Sequence, residues 1–143
     1  MKDCSNSVRT IYVNALNGYL SYNSKDVPVY GQDPFRTLPQ NYVIISSITE
    51  QASNTNDSFG NIVSVDIDIF SEQYRVNDLS VVDNIAGQIL NILIPDTKID
   101  GFADTDFIVY PMSRTNSLYL PLYKGDNYVA RKIITINNLV NQK

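Results

Sequence analysis

An α/β chain of the α+β kind is the architecture this sequence predicts. The expected form is one mostly antiparallel sheet of about four to five strands, with two helices packed on one face. Three observations lead there. Two amphipathic helical stretches lie near residues 8–19 and 82–93, a cleanly alternating strand occupies 62–70, and the connections between neighbouring strands are too short and polar for crossover helices. The element order reads α-β-β-β-α-β-β. A chain of 143 residues fits one domain, 1–143, with no repeat or linker to divide it.

Val8, Ile11, Tyr12, Ala15, Leu16 and Tyr19 recur at helical spacing and form one apolar stripe. Ser5 or Ser7 offers a cap at its start, and Gly18 stands near its end. Residues 21 to 41 are rich in turn formers. Within them Val27-Pro28-Val29-Tyr30 reads as a short edge strand, because proline cannot donate to a central ladder. Tyr42 to Thr49 is a β-branched run, apolar on both faces at its start, and predicts a buried strand. From Ile62 to Phe70 the chain alternates: Val63, Val65, Ile67 and Ile69 on one face, Ser64, Asp66 and Asp68 on the other. The second helix takes Ser80 as N-cap and buries Val82, Ile85, Ala86, Ile89 and Leu93 before Pro95 stops it. Gly87 inside it costs about 1 kcal/mol relative to alanine unless close packing needs the missing side chain. Strands over Phe107–Arg114 and Tyr128–Ile136 complete the sheet.

The composition narrows the function. At 43% hydrophobic residues the chain can bury a core, and no apolar run approaches the roughly 20 residues that span a bilayer, so no membrane role is expected. The N-terminus lacks the apolar core of a signal peptide. The single Cys4 makes no internal disulfide and is expected to be inert. There is no histidine, which removes the commonest general base, the commonest metal ligand and every Ser-His or Cys-His nucleophile. The net charge of −4, with 11 basic residues thinly spread, argues against gripping nucleic acid.

No cofactor, metal or catalytic residue is expected. Asp66 and Asp68 project from one strand face about 7 Å apart, and a solvated acidic face explains them better than an acid/base pair. Asp100 to Asp106 lacks the spacing of a calcium loop and reads as a turn before a strand. Two excursions remain. Glu50–Gly60, carrying Asn54, Asn56, Asp57 and Phe59, is a long polar connection between strands. Asn116–Asn127 carries Leu118, Tyr119, Leu120, Leu122 and Tyr123, unusually apolar for a loop tip. Exposed apolar surface of this kind usually meets a partner.

The succession of these segments resembles the tail-completion, or tail-terminator, proteins at the head–tail junction of tailed bacteriophages. The resemblance runs from the opening helix through Val27-Pro28-Val29-Tyr30 and Leu38-Pro39-Gln40-Asn41-Tyr42-Val43-Ile44-Ile45. It continues through Val63-Ser64-Val65-Asp66-Ile67-Asp68-Ile69-Phe70-Ser71, the Val82–Leu93 helix and the late pair Phe107–Arg114 and Tyr128–Ile136. The Asn116–Asn127 excursion is longer than the turn usual in that family. The resemblance implies a non-enzymatic ring subunit in the neck of a virion, assembled in the host cytoplasm, with a hexamer favoured and a dodecamer as the alternative. Such a ring caps the tail tube, joins it to head-completion, connector or portal proteins, and lets DNA pass through its lumen without sequence recognition. Asp66 and Asp68 would then face lumen or solvent, and the two excursions would carry the subunit contacts. The competing reading is a small monomeric or dimeric protein-binding module, and behind it a carboxylate-based hydrolase.

Overall fold

The structure is a computed structural model, describing residues 3–32, 37–51, 60–74, 78–95 and 101–143. Two helices, α1 (Ser5–Leu16) and α2 (Ser80–Leu93), stand among nine strands. These are β1 (Ser21–Tyr22), β2 (Lys25–Asp26), β3 (Val29–Tyr30), β4 (Asn41–Gln51), β5 (Gly60–Tyr74), β6 (Phe102–Ala103), β7 (Phe107–Tyr119), β8 (Leu122–Lys124) and β9 (Asn127–Gln142). Strand accounts for 54% of the described residues and helix for 22%.

The expected four to five antiparallel strands are therefore a misreading. The main sheet is curled and mixed and has seven strands, in the order β3-β4-β5-β9-β7-β6 with β8 also on β9, and β1 and β2 form a separate pair. Two findings account for the difference. β1, β2 and β6 are two residues long and too short to show a period of two. β3 also runs parallel to β4, a pairing that the expectation of an antiparallel sheet did not include.

The long strands build the sheet. β5 pairs with β4 from Asn41↔Ser71 to Gln51↔Ile62, and with β9 from Gly60↔Asn141 to Tyr74↔Asn127. Val63, Val65, Ile67 and Ile69 all point inward and are fully buried. β9 alternates for its whole length, with Ala130, Ile134, Ile136 and Val140 inside. Bulges at Ser46 in β4 and at Met112 and Thr115 in β7 each add an unpaired residue, and such insertions bend and twist a strand, which fits the curl.

The helices cover one face. α1 packs against β3, β4, β6 and β7, α2 against β5 and β9, and the two helices touch. Val8, Ile11, Tyr12 and Leu16 of α1 and Val82, Ile85, Ala86, Ile89 and Leu93 of α2 join the inward sheet residues in one core. Tyr19, expected in the stripe, lies beyond the end of α1 and is 71% exposed. Inside this core, Asn138 receives the Tyr12 hydroxyl and donates to the carbonyls of Val63 (3.1 Å) and Ile136 (3.0 Å), tying α1 to β5 and β9. A buried amide so satisfied fixes the helix on the sheet at one register.

Cys4, expected at a frayed terminus, is instead fully buried at the start of α1. Its thiol donates to Glu50 Oε1 at 3.0 Å. Asp104 closes the turn between β6 and β7 by accepting from the backbone of Asp106 and Phe107, both at 2.8 Å.

Candidate interaction surface

The face of the sheet away from the helices carries the features with functional weight. Side chains of cross-strand partners share a face, so the register shows what lies there. Tyr30 pairs with Ile44, Ile44 with Asp68, Tyr42 with Phe70, and Phe70 with Arg131. Tyr42 and Phe70 stack with centroids 4.8 Å apart, Tyr30 tilts against Tyr42 at 6.5 Å, and the Arg131 guanidinium lies 5.3 Å over the Phe70 ring. An aromatic ladder thus crosses from β3 to β5 and ends against the Arg131 guanidinium of β9.

One of its carboxylates is matched by a cation, and others accept from neutral donors. Arg131 reaches diagonally to Asp68 with Nε and Nη2 at 3.2 and 3.0 Å from the two carboxylate oxygens. Asp66 accepts from the Thr135 hydroxyl at 2.6 Å, and Ser64 donates to Asn137 at 2.7 Å. Asp68 is only 4% exposed, so the expected solvent-facing acidic pair is corrected. Asp66 is half-buried and Asp68 is a buried partner of a cation. The alternation of β5 placed both acids on the right face but could not reveal Arg131, 63 residues away.

Leu118, Tyr119, Leu120, Leu122 and Tyr123 do not sit on a loop. β7 runs on to Tyr119↔Lys132, the Leu120 N–H donates to the Arg131 carbonyl at 2.9 Å, and β8 continues from Leu122↔Val129 to Lys124↔Asn127. The register is unbroken through Pro121, and Gly125, at φ 62, opens the two-residue turn into β9. Leu118, Leu120 and Leu122 therefore line up on the open face beside Ile133, Arg131 and Val129. Their spacing of i, i+2 and i+4 was a strand signal already present in the sequence. Met112, Leu118, Tyr119, Leu120, Leu122 and Tyr123 make up six of the eight exposed large hydrophobic side chains among the described residues, with Tyr123 at 78%.

Beside this stripe lies a groove of about 630 Å³, walled by Leu38, Tyr42, Phe70, Glu72, Leu122 and Tyr123. A clamp on the opposite face holds the same strand to α2. Asp83 accepts from Lys132 Nζ at 2.7 Å and from the Tyr119 hydroxyl at 2.5 Å, and the Lys132 ammonium lies 4.9 Å over the Tyr119 ring. Burial alone would raise the Asp83 carboxyl, but these hydrogen bonds and the Lys132 charge hold it below its usual range.

The outer edge of this strand is guarded. Among the described residues β6 covers it only at Ile108 and Val109. Beyond them come Pro111, the two bulges and Pro121. Since the Leu120 N–H points to β9, the Pro121 nitrogen points to the open edge and offers no donor there. These devices discourage addition of another strand, so contact is left to side chains.

A second recess, about 500 Å³, opens on the helix side at the other end of β7, lined by Ile11, Asn14, Ala15, Tyr19, Ile92, Gly101, Phe102 and Ala103. Sequence reasoning missed it, because it joins elements up to about ninety residues apart. Asn54, Asn56, Asp57 and Phe59, also expected to carry contacts, lie outside the described residues. Among the described residues no group of three or more His, Cys, Asp or Glu is placed to hold a metal ion, and no helix is long and apolar enough to cross a membrane. Neither a scan against protein-family models nor a search of curated proteins found a match to this chain.

Proposed function

We propose that this chain is a structural subunit of a ring at the head–tail interface of a tailed bacteriophage. In this reading it is a tail-completion or terminator protein that joins the tail tube to the connector, with no catalytic role of its own. One observation supports the reading above the others. Six exposed large hydrophobic side chains are concentrated on the β7–β8 strand, whose backbone edge is blunted against strand addition. Exposed apolar area of this extent is unfavourable in water and marks a protein contact surface. The Asp68–Arg131 pair gives this face one charge already compensated before a neighbour covers it. A separate recess at the far end of β7 supplies the second, different patch that a closed ring of identical subunits needs.

The dominance of one patch also favours the competing reading, a binding module acting as a monomer on another protein. Light scattering separates the two. The protein is measured alone and after mixing with a tail-tube protein. A closed oligomer of six or twelve subunits in either condition supports the ring, and a monomer in both sinks it in favour of the module.

A further inference from the structure

We infer that Asn17–Gly18 is a self-modifying joint whose chemistry the fold holds in check. The Asn17 side-chain amide is lost by ring closure only when the end of α1 lifts from β3. Nothing in this depends on the assembly reading. The pair is the one Asn-Gly step in the sequence, and both residues are exposed. Asparagine is a thermally labile residue, and a following glycine, having no Cβ, lets its backbone nitrogen approach the side chain closely. Among the described residues none accepts the Gly18 N–H, so that nitrogen is available to react.

The reaction needs water alone. The Gly18 nitrogen gives up its proton and bonds to Asn17 Cγ, the bond from Cγ to the amide nitrogen breaks, and ammonia leaves with that proton. Water then opens the cyclic imide. Attack at Cγ gives aspartate, and attack at the Asn17 backbone carbonyl gives isoaspartate, with the chain routed through Cβ. Two features of the fold oppose ring closure. Asn17 Oδ1 accepts from the Val29 N–H at 3.1 Å, which holds the side chain on β3. The Asn17 backbone, at φ −67 and ψ 129, also turns the Gly18 nitrogen away from the Cα–Cβ bond, with which it must align to reach Cγ. Rotation there is resisted on both sides, because Leu16 and Leu20 are buried and the Tyr19 N–H donates to the Leu16 carbonyl at 3.1 Å. Aspartate keeps the oxygen that Val29 needs. Isoaspartate inserts an extra backbone atom between two anchored leucines, so that product cannot rebuild the joint.

Ageing the protein in mildly alkaline buffer tests this, with peptide mapping by mass spectrometry to locate each new acid and chromatography to separate its isomers. In the chain unfolded by guanidinium, Asn17 is expected to convert before any other asparagine, mainly to isoaspartate. In the folded protein its rate is expected to be more than tenfold lower. Val29→Pro removes the donor and is expected to raise the rate in the folded protein several-fold, its fold checked by circular dichroism. Should that variant not fold, the ratio of folded to unfolded rates in the wild type still decides. Equal rates in the folded and unfolded wild type would overturn the gate, and so would a folded Val29→Pro that ages no faster than the wild type. Conversion of other asparagines ahead of Asn17 in the unfolded chain would overturn the site.

Discussion

At the scale of single residues, the Asp68–Arg131 pair shows how the open face keeps charge without exposing it. Asp68 is almost wholly enclosed, while the Arg131 side chain keeps a quarter of its surface in water. Removing the cation would leave the carboxylate buried without compensation, so Arg131→Leu is expected to destabilise the fold by about 3–5 kcal/mol in chemical denaturation. A loss below about 1 kcal/mol would show that Asp68 finds water instead. A second expectation concerns alkaline pH. Burial first, and then the hydrogen bond to Glu50, push the Cys4 thiol from 9.0 up to about 12, and burial raises the Tyr12 phenol as well. Both groups are held neutral in the fold but ionise more readily in the unfolded chain. Their stabilising contribution is therefore complete below about pH 9 and is lost as pH rises from there towards 12. Melting temperature is expected to fall across that window, and less steeply in Cys4→Ala; equal slopes would show that Cys4 does not contribute.

At the scale of elements, two glycines make opposite predictions. Gly87 in α2 has open space where a Cβ would stand, so Gly87→Ala is expected to stabilise the protein by about 1 kcal/mol through helix propensity. Gly101 sits at φ +88 with the Tyr110 ring 2.8 Å from where its Cβ would be, so Gly101→Ala is expected to destabilise it by about 1–3 kcal/mol. Urea titration of both variants checks the signs. The elements that sequence made legible are those long enough to repeat a period. The alternation of Val63 to Ile69 and the spacing of Val82 to Leu93 both correspond to buried faces. β6 holds two residues and shows no period at all, whereas β3 lies within the expected Val27–Tyr30 edge strand. β8 was hidden for another reason: Pro121 and the exposed leucines read as a loop tip, although Leu118, Leu120 and Leu122 alternate as a strand does. The apolar character of that segment was legible in the sequence. Its partners were not, because Tyr119 meets Asp83, 36 residues away, through a fold that periodicity cannot supply.

At the scale of the whole molecule, the chain divides its surface by role. One sheet face is closed by α1 and α2 around a single core. The other carries an aromatic ladder, the Asp68–Arg131 pair and the leucine stripe, and it ends at a groove. The clamp of Asp83, Lys132 and Tyr119 ties the stripe's strand to α2 at the point where it leaves the core. An apolar surface held in place before a partner arrives loses less conformational entropy on binding. On the proposed reading, this surface assembles copies of the chain. It is tested by the native mass of the wild-type protein, alone and mixed with a tail-tube protein, measured beside Leu120→Asp with Leu122→Asp, both confirmed folded. In one of these conditions the wild type is expected at six or twelve times the 16.1 kDa chain mass, and the variant at the mass of one chain. Equal masses for the two proteins under both conditions would overturn it.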